Sequence, residues 1–239
     1  MTTTQLQTTT TGDRLELLDV EGYDFYREIH KGIRHALFTT TLRAGSLDVS
    51  DGEEVERLLN VHRDLLHLMH VHHEHEDVFV DPLLVAHAPR LAEEVSAQHG
   101  DIEAGMAHQE ALAHRLATVG APGRSGAALR LYLDLSRLTS EYLAHQLVEE
   151  TVAMPALRAA VPTEELLALD MQIRSTIPPD EMVRAMVHML PAMNLEERVD
   201  MLGGMAMAPP EVFATFRDAA RAILPADQFA QVARRIGIA

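Results

Sequence analysis

The chain has 239 residues, room for one large domain or two small ones, and it contains no cysteine, which excludes disulfides, thiolate metal sites and cysteine nucleophiles. A net charge of −16 argues against nucleic acid, whose phosphates demand a basic surface, and against anionic membrane. Apolar residues make up 47%, but no run is long enough to span a bilayer and the N-terminus lacks a basic-then-apolar signal pattern, so a soluble cytoplasmic protein is expected.

Abundant Ala, Leu, Glu, Arg and Met favour helix over sheet. The polar stretch MTTTQLQTTTTG opens a tail expected to be disordered over residues 1–14. From about Leu15 the chain turns helical, and a first helix through GYDFYREIHKGIRHALFTTTLRAG stops near Gly45. SDGE at Ser50–Glu53 reads as a capping box that opens a long second helix, ending near HAP at 87–89. A third runs from about Pro89 to Val119 and is closed by GAPGRSG; a fourth spans about Ala127 to Leu157. Long helices with short connections predict an all-α fold, an up-down-up-down four-helix bundle over residues 15–160. That bundle is expected to fold without the C-terminal part of the chain. Residues 161–239 form a second region, where PTEE, PPDE, NLEE, PPEV and PADQ mark successive starts of short helices. Eight of the twelve methionines lie between Met171 and Met207. They read first as filler for an irregular core, and second as an adaptable groove for a protein partner.

The chemistry lies in a repeat. HHEHEDVFVDPLL (72–84) and HQLVEETVAMPAL (145–157) align at a constant offset of 73 residues, pairing His72 with His145, Glu76 with Glu149, Asp77 with Glu150 and Pro82 with Pro155. Each copy is His-x-x-x-Glu, which puts the two side chains on one helix face. That face is otherwise apolar: Leu65, Leu68, Met69, Phe79, Val80 and Leu83 share it in the first copy, and Leu135, Leu138, Tyr142, Val152 and Ala156 in the second. Burying such groups is costly unless they are paired or bind metal. The other two helices each offer one histidine on an apolar stripe, His30 beside Tyr23, Tyr26, Ile33 and Leu37, and His99 beside Ala92, Val95, Ile102 and Met106. Four imidazoles and two carboxylates without sulfur suit two metals bridged by carboxylate, iron before manganese. His62, His70, His73 and Asp77 form another stripe, expected to be solvated or to border the site. His67, His75, His87, His108 and His114 read as surface residues, and His188 as a satisfied core histidine. Tyr142 and Tyr26, one turn before His145 and His30, are candidate neighbours of the metals.

EIHKGIRH, HHEHEDVFVDPL, QHGDIEAG and HQLVEETVAMPAL, in that order and spacing, resemble the hemerythrin-like, HHE cation-binding domain over about residues 20–158. The resemblance implies a bundle holding two iron ions in an oxo- or hydroxo-bridged centre, with manganese or zinc as substitutes. It implies the ligands His30, His72, Glu76, His99, His145 and Glu149, with Glu76 and Glu149 as bridges. Oxygen-carrying members have His-x-x-x-His on the third helix and His-x-x-x-x-Asp on the fourth. Here the third reads His99-x-x-x-Glu103 and the fourth His145-x-x-x-Glu149, which leaves Glu103 and His73 as alternatives for a seventh ligand and points away from reversible oxygen carriage. The expected function is to bind or reduce a small oxidant (oxygen, peroxide or nitric oxide), with catalase-like or oxidase turnover as the enzymatic form. The alternatives are an iron or oxygen sensor signalling through the C-terminal helices, and an oxygen carrier or storage protein. Metal stoichiometry and peroxide turnover separate these readings. No nucleophile–base arrangement supports a hydrolase.

Overall fold

A computed structural model describes residues 22–238, and these are all-helical, without strands. The tail expected over residues 1–14 and the helical onset from about Leu15 lie outside the described residues. Helix α1 is Arg27–Gly45, and α2 is Gly52–His75. The α2 helix runs through a π-helical turn, Glu76–Val80, into α3, Asp81–His87. Helix α4 is Pro89–Thr118. Helix α5, Ala121–Val148, repeats the pattern: a π-helical turn, Glu149–Ala153, leads into α6, Met154–Ala160. Five shorter helices complete the described chain, α7 Thr163–Thr176, α8 Pro179–Ala192, α9 Leu195–Met205, α10 Pro210–Ile223 and α11 Ala226–Ile236. No helix among the described residues is long and apolar enough to cross a membrane.

Local chemistry explains most boundaries. Asp24 Oδ1 accepts from the N–H groups of Tyr26 and Arg27, satisfying donors at the start of α1. The cap of α2 is Asp51, one residue later than the Ser50 of the expected capping box, and its carboxylate accepts from the N–H groups of Glu53 and Glu54. The start of α5 is six residues earlier than expected. Pro122 sits in its first turn, where a missing N–H costs nothing, so GAPGRSG is mostly helix rather than loop. Each of the five expected C-terminal starts opens a helix, and NLEE forms a full capping box between Asn194 and Glu197.

The π-turns have a common cause. Pro82 and Pro155 lack an N–H, and each ring would clash with the carbonyl four residues back. The residue before each proline donates instead to a carbonyl five residues back, Asp81 to Glu76 and Met154 to Glu149. The extra residue moves the buried stripe on by one position. Leu84 and Leu157 are fully buried where the helical period from His72 and His145 pointed to Leu83 and Ala156.

Helix α1 packs on α2 and α5, and α4 packs on the same two. Along each of these helices a polar layer divides the apolar core. On one side lie Ile33, Met69, Ile102 and Tyr142; on the other lie Tyr26, Val80, Ala92 and Ala153. The shorter helices build their own core around Met186, Leu190, Leu202, Phe216 and Val232. The methionines divide: Met186, Met189, Met193 and Met201 are buried, whereas Met171 and Met207 are exposed. Helix α8 also packs on α1, closely enough that a Cβ on Gly32 would lie 2.7 Å from Met189 Cγ and 3.2 Å from Met189 Cα. Gly32→Ala is therefore expected to wedge α8 outward and to cost about 1–3 kcal/mol. Urea unfolding measures this, and an unchanged midpoint would mean that α8 shifts freely.

Candidate metal centre

The four helices around the polar layer each aim a ring into it. His30, His72, His99 and His145 are all at least nine-tenths buried, as are Glu76 and Glu149. Within each copy of the repeat the i, i+4 spacing closes, with His72 Nε2 3.0 Å from Glu76 Oε1 and His145 Nε2 3.2 Å from Glu149 Oε1. The other two rings bridge between copies. His30 Nε2 lies 3.3 Å from Glu149 Oε2 and 4.0 Å from Glu76 Oε1; His99 Nε2 lies 3.5 Å from Glu76 Oε2 and 3.6 Å from Glu149 Oε1. His30 Nε2 and His72 Nε2 are 3.2 Å apart.

Two groups of candidate ligand atoms share Glu76, and a third, more exposed group joins Asp77, Asp81 and His99. Of the two that share Glu76, one is His30, His72, Glu76 and Glu149, and the other is His73, Glu76, His99 and His145. Of the two alternatives for a seventh ligand, His73 is the one that lies in the cluster. Glu103 is exposed on α4 and lines a separate groove with His62 and His114. His73, expected with a solvated or bordering stripe, is 1% exposed. Its ring stacks on His99 at 4.5 Å and on Tyr142 at 5.4 Å. His62 of the same stripe is also buried and meets Gln109 Oε1 at 2.9 Å. His62 and His73 are buried because α2 is covered by α4 as well as by α1, which widens its apolar arc. His70 and Asp77 stay exposed. His188 is not a satisfied core residue: it is half-buried, its Nδ1 has no hydrogen-bond partner, and its ring lies 6.0 Å from that of His35. His67 is half-buried and joins Glu181 of α8 at 2.6 Å.

A test of fit comes from the buried polar atoms. Both oxygens of Glu76 and Glu149, Nε2 of His99 and His145, and both ring nitrogens of His73 make no hydrogen bond. The short nitrogen–oxygen approaches lack hydrogen-bond geometry. Leaving so many polar atoms unsatisfied would cost several kcal/mol, whereas atoms converging on a cation are satisfied by it. The charges agree. Burial opposes ionisation of Glu149, yet the rings of His145, His30 and His99 hold it well below the usual carboxylate range. Burial, and then the charge of Glu149, push Glu76 well above that range. A cation held by these residues would let both carboxylates ionise. Burial, and then His99 and His145, push His73 down to about 3, keeping it as the neutral imidazole that ligates metals. This buried His/Glu cluster could hold metal.

The outer partners escaped the sequence reading. His30 Nδ1 meets Glu150 Oε1 at 3.0 Å, and Arg34 grips both oxygens of Glu150 at 2.6 and 2.9 Å. His99 Nδ1 meets Asp77 Oδ1 at 3.3 Å, and His145 Nδ1 meets Gln98 Oε1 at 3.0 Å. Such contacts at Nδ1 orient each ring so that Nε2 faces inward. The acidic residue after each motif glutamate, Asp77 or Glu150, thus serves a histidine on another helix. Its recurrence at the 73-residue offset was the available signal. Tyr26 stacks on His30 at 5.1 Å, and the fully buried Tyr142 hydroxyl has no hydrogen-bond partner.

Replacing His73 with alanine is expected to change the optical spectrum of metal-loaded protein and to weaken metal retention ~10–100-fold, while Glu103→Ala leaves both unaltered. Equal effects from the two substitutions, read by chelator competition, would contradict the assignment. Comparisons of the chain with protein-family models, with characterised proteins and with solved structures find no match.

Proposed function

We propose that this chain is a hemerythrin-like four-helix bundle whose buried His/Glu layer holds two iron ions and binds or reduces a small oxidant. The observation that carries the reading is the sharing of Glu76 by two groups of ligand atoms, one drawn mainly from α1 and α2 and the other from α2, α4 and α5. One carboxylate common to two groups of imidazole and carboxylate donors suits a pair of cations, and nitrogen with carboxylate and no sulfur suits iron, with manganese next. Iron held there would supply the electrons that reduce oxygen or peroxide.

The chain's own residues set the terms of that chemistry. Glu149, held in its ionised form by three imidazoles, would place negative charge beside a metal held here and favour its oxidised state. The Glu103 carboxylate, exposed on α4, adds nothing to this. Tyr142 offers a buried hydroxyl with no protein partner, free to donate to a small oxygen ligand. Apolar layers pack on either side of these groups. Stopped-flow mixing of the reduced, iron-loaded protein with oxygen tests the reading. Oxidation within seconds and peroxide turnover by the ferric protein are expected. A stable spectrum reversed on removing oxygen would make the chain a carrier.

A second reading, an iron or oxygen sensor, has one observation in its favour. Met189 of α8 sits on Gly32, two residues from His30, so a shift of α1 would reach the C-terminal helices. Fast oxidation without peroxide turnover would favour it.

A further inference from the structure

A cavity of about 310 Å³ lies between the metal-site helices and the C-terminal ones, outside the ligand cluster itself. Its floor is formed by His72 and Glu76, and one wall by residues of α7 and α8. We propose that it binds a small, neutral, largely apolar organic molecule, seated between α2 and α8 and reaching the His72–Glu76 edge of the centre.

Three observations carry this. The size falls at the lower end of the range for small-molecule pockets. Titratable side chains make up about half of the lining residues, but most of the surface exposed to the cavity is apolar, with Ile29, Val71, Ile173, Ile177 and Met182 contributing. The charged groups at the cavity are mostly spent on one another. Arg174 Nε lies 2.9 and 3.0 Å from the Asp170 oxygens and Nη2 3.3 Å from Glu28 Oε2, while Glu181 is taken by His67 at 2.6 Å and Arg184 at 3.4 Å. An anionic ligand would have to break these pairs to reach Arg174 or Arg184, and an uncharged one would not. A diatomic molecule would leave most of the volume unfilled. Binding in this cavity does not depend on which metal is held beside it, and it gives the C-terminal helices a role at the site that the oxidant reading does not require.

The methionines report on it. Met182 and Met189 line the cavity, whereas Met106 and Met207 do not. Full-length protein with 13C-methyl methionine, metal-free and metal-loaded, is titrated with 4-ethylphenol as a neutral apolar probe. Saturable shifts of Met182 and Met189, with Met106 and Met207 unmoved, are expected in both forms. Val71→Phe and Ile177→Trp, which fill the cavity from opposite walls, should weaken binding at least tenfold with the methionine spectrum still dispersed. Shifts that do not saturate, that spread equally to Met207, or that survive both substitutions overturn the proposal. Because the metal-free arm reads the cavity alone, a failure to bind iron would strike the oxidant reading and leave this one standing.

Discussion

Iron-loaded protein is expected to carry two metal ions per chain, and Glu76→Ala to reduce that to fewer than one. Glu76 is the residue common to both groups of ligand atoms, so its loss removes an anionic oxygen from each. Glu149→Ala should be milder and retain about one ion. That residue completes the group with His30 and His72, while His73, Glu76, His99 and His145 remain together without it. A His72→Ala/His145→Ala double substitution should empty the site, because each half then loses an imidazole. His70→Ala is the control: that ring is exposed and pairs with Glu74 at 3.3 Å. Metal analysis after gel filtration measures all four. Stoichiometry near zero in the unaltered protein, or equal losses in every variant including His70→Ala, would remove the basis for a two-metal centre.

Chelation of both metal ions is expected to lower the melting temperature by about 15–30 °C. A cation present at a thousand times its dissociation constant stabilises the folded state by about 4 kcal/mol per site, and a chain of this size gains roughly 2–4 °C per kcal/mol. The physical source is the layer of buried oxygens and ring nitrogens without hydrogen bonds, whose desolvation the cation offsets. Differential scanning calorimetry with and without chelator, then after restoring metal, gives the number. A melting temperature indifferent to chelator would mean that the layer is stable as a protonated His/Glu network, which the fold then holds for another purpose.

Much of the site was legible because helical periodicity is local. His72 and Glu76, or His145 and Glu149, share a face whatever the fold, and the apolar residues around them mark that face as buried. The 73-residue offset then shows that the chain makes this device twice, and single histidines on two further stripes complete the set. Prolines and capping residues are equally local, so all five C-terminal helix starts could be read directly. The methionines of that region divided between core and surface, which composition alone does not decide.

Other features depended on neighbours distant in sequence. His73 was indistinguishable from His70 along the helix. It became part of the cluster only because α4 and α5 bring His99, His145 and Tyr142 against that side of α2. Glu103 carried a plausible spacing from His99 but faces a different groove, since the i, i+4 relation to one ligand does not specify the arc that packing buries. The π-turns required two facts together, a proline that cannot donate and a core that still demands an apolar residue there. Their combined effect was to advance burial from Leu83 and Ala156 to Leu84 and Leu157. The sequence by itself determined the helices, the His and Glu residues that share their buried faces and the repeat, because bonds and periodicities within one helix need no partner. Only the tertiary structure decided which fifth histidine joins the cluster, which carboxylates hold the rings, and that α8 closes a cavity over His72 and Glu76, because each depends on surfaces that meet only when separate helices pack.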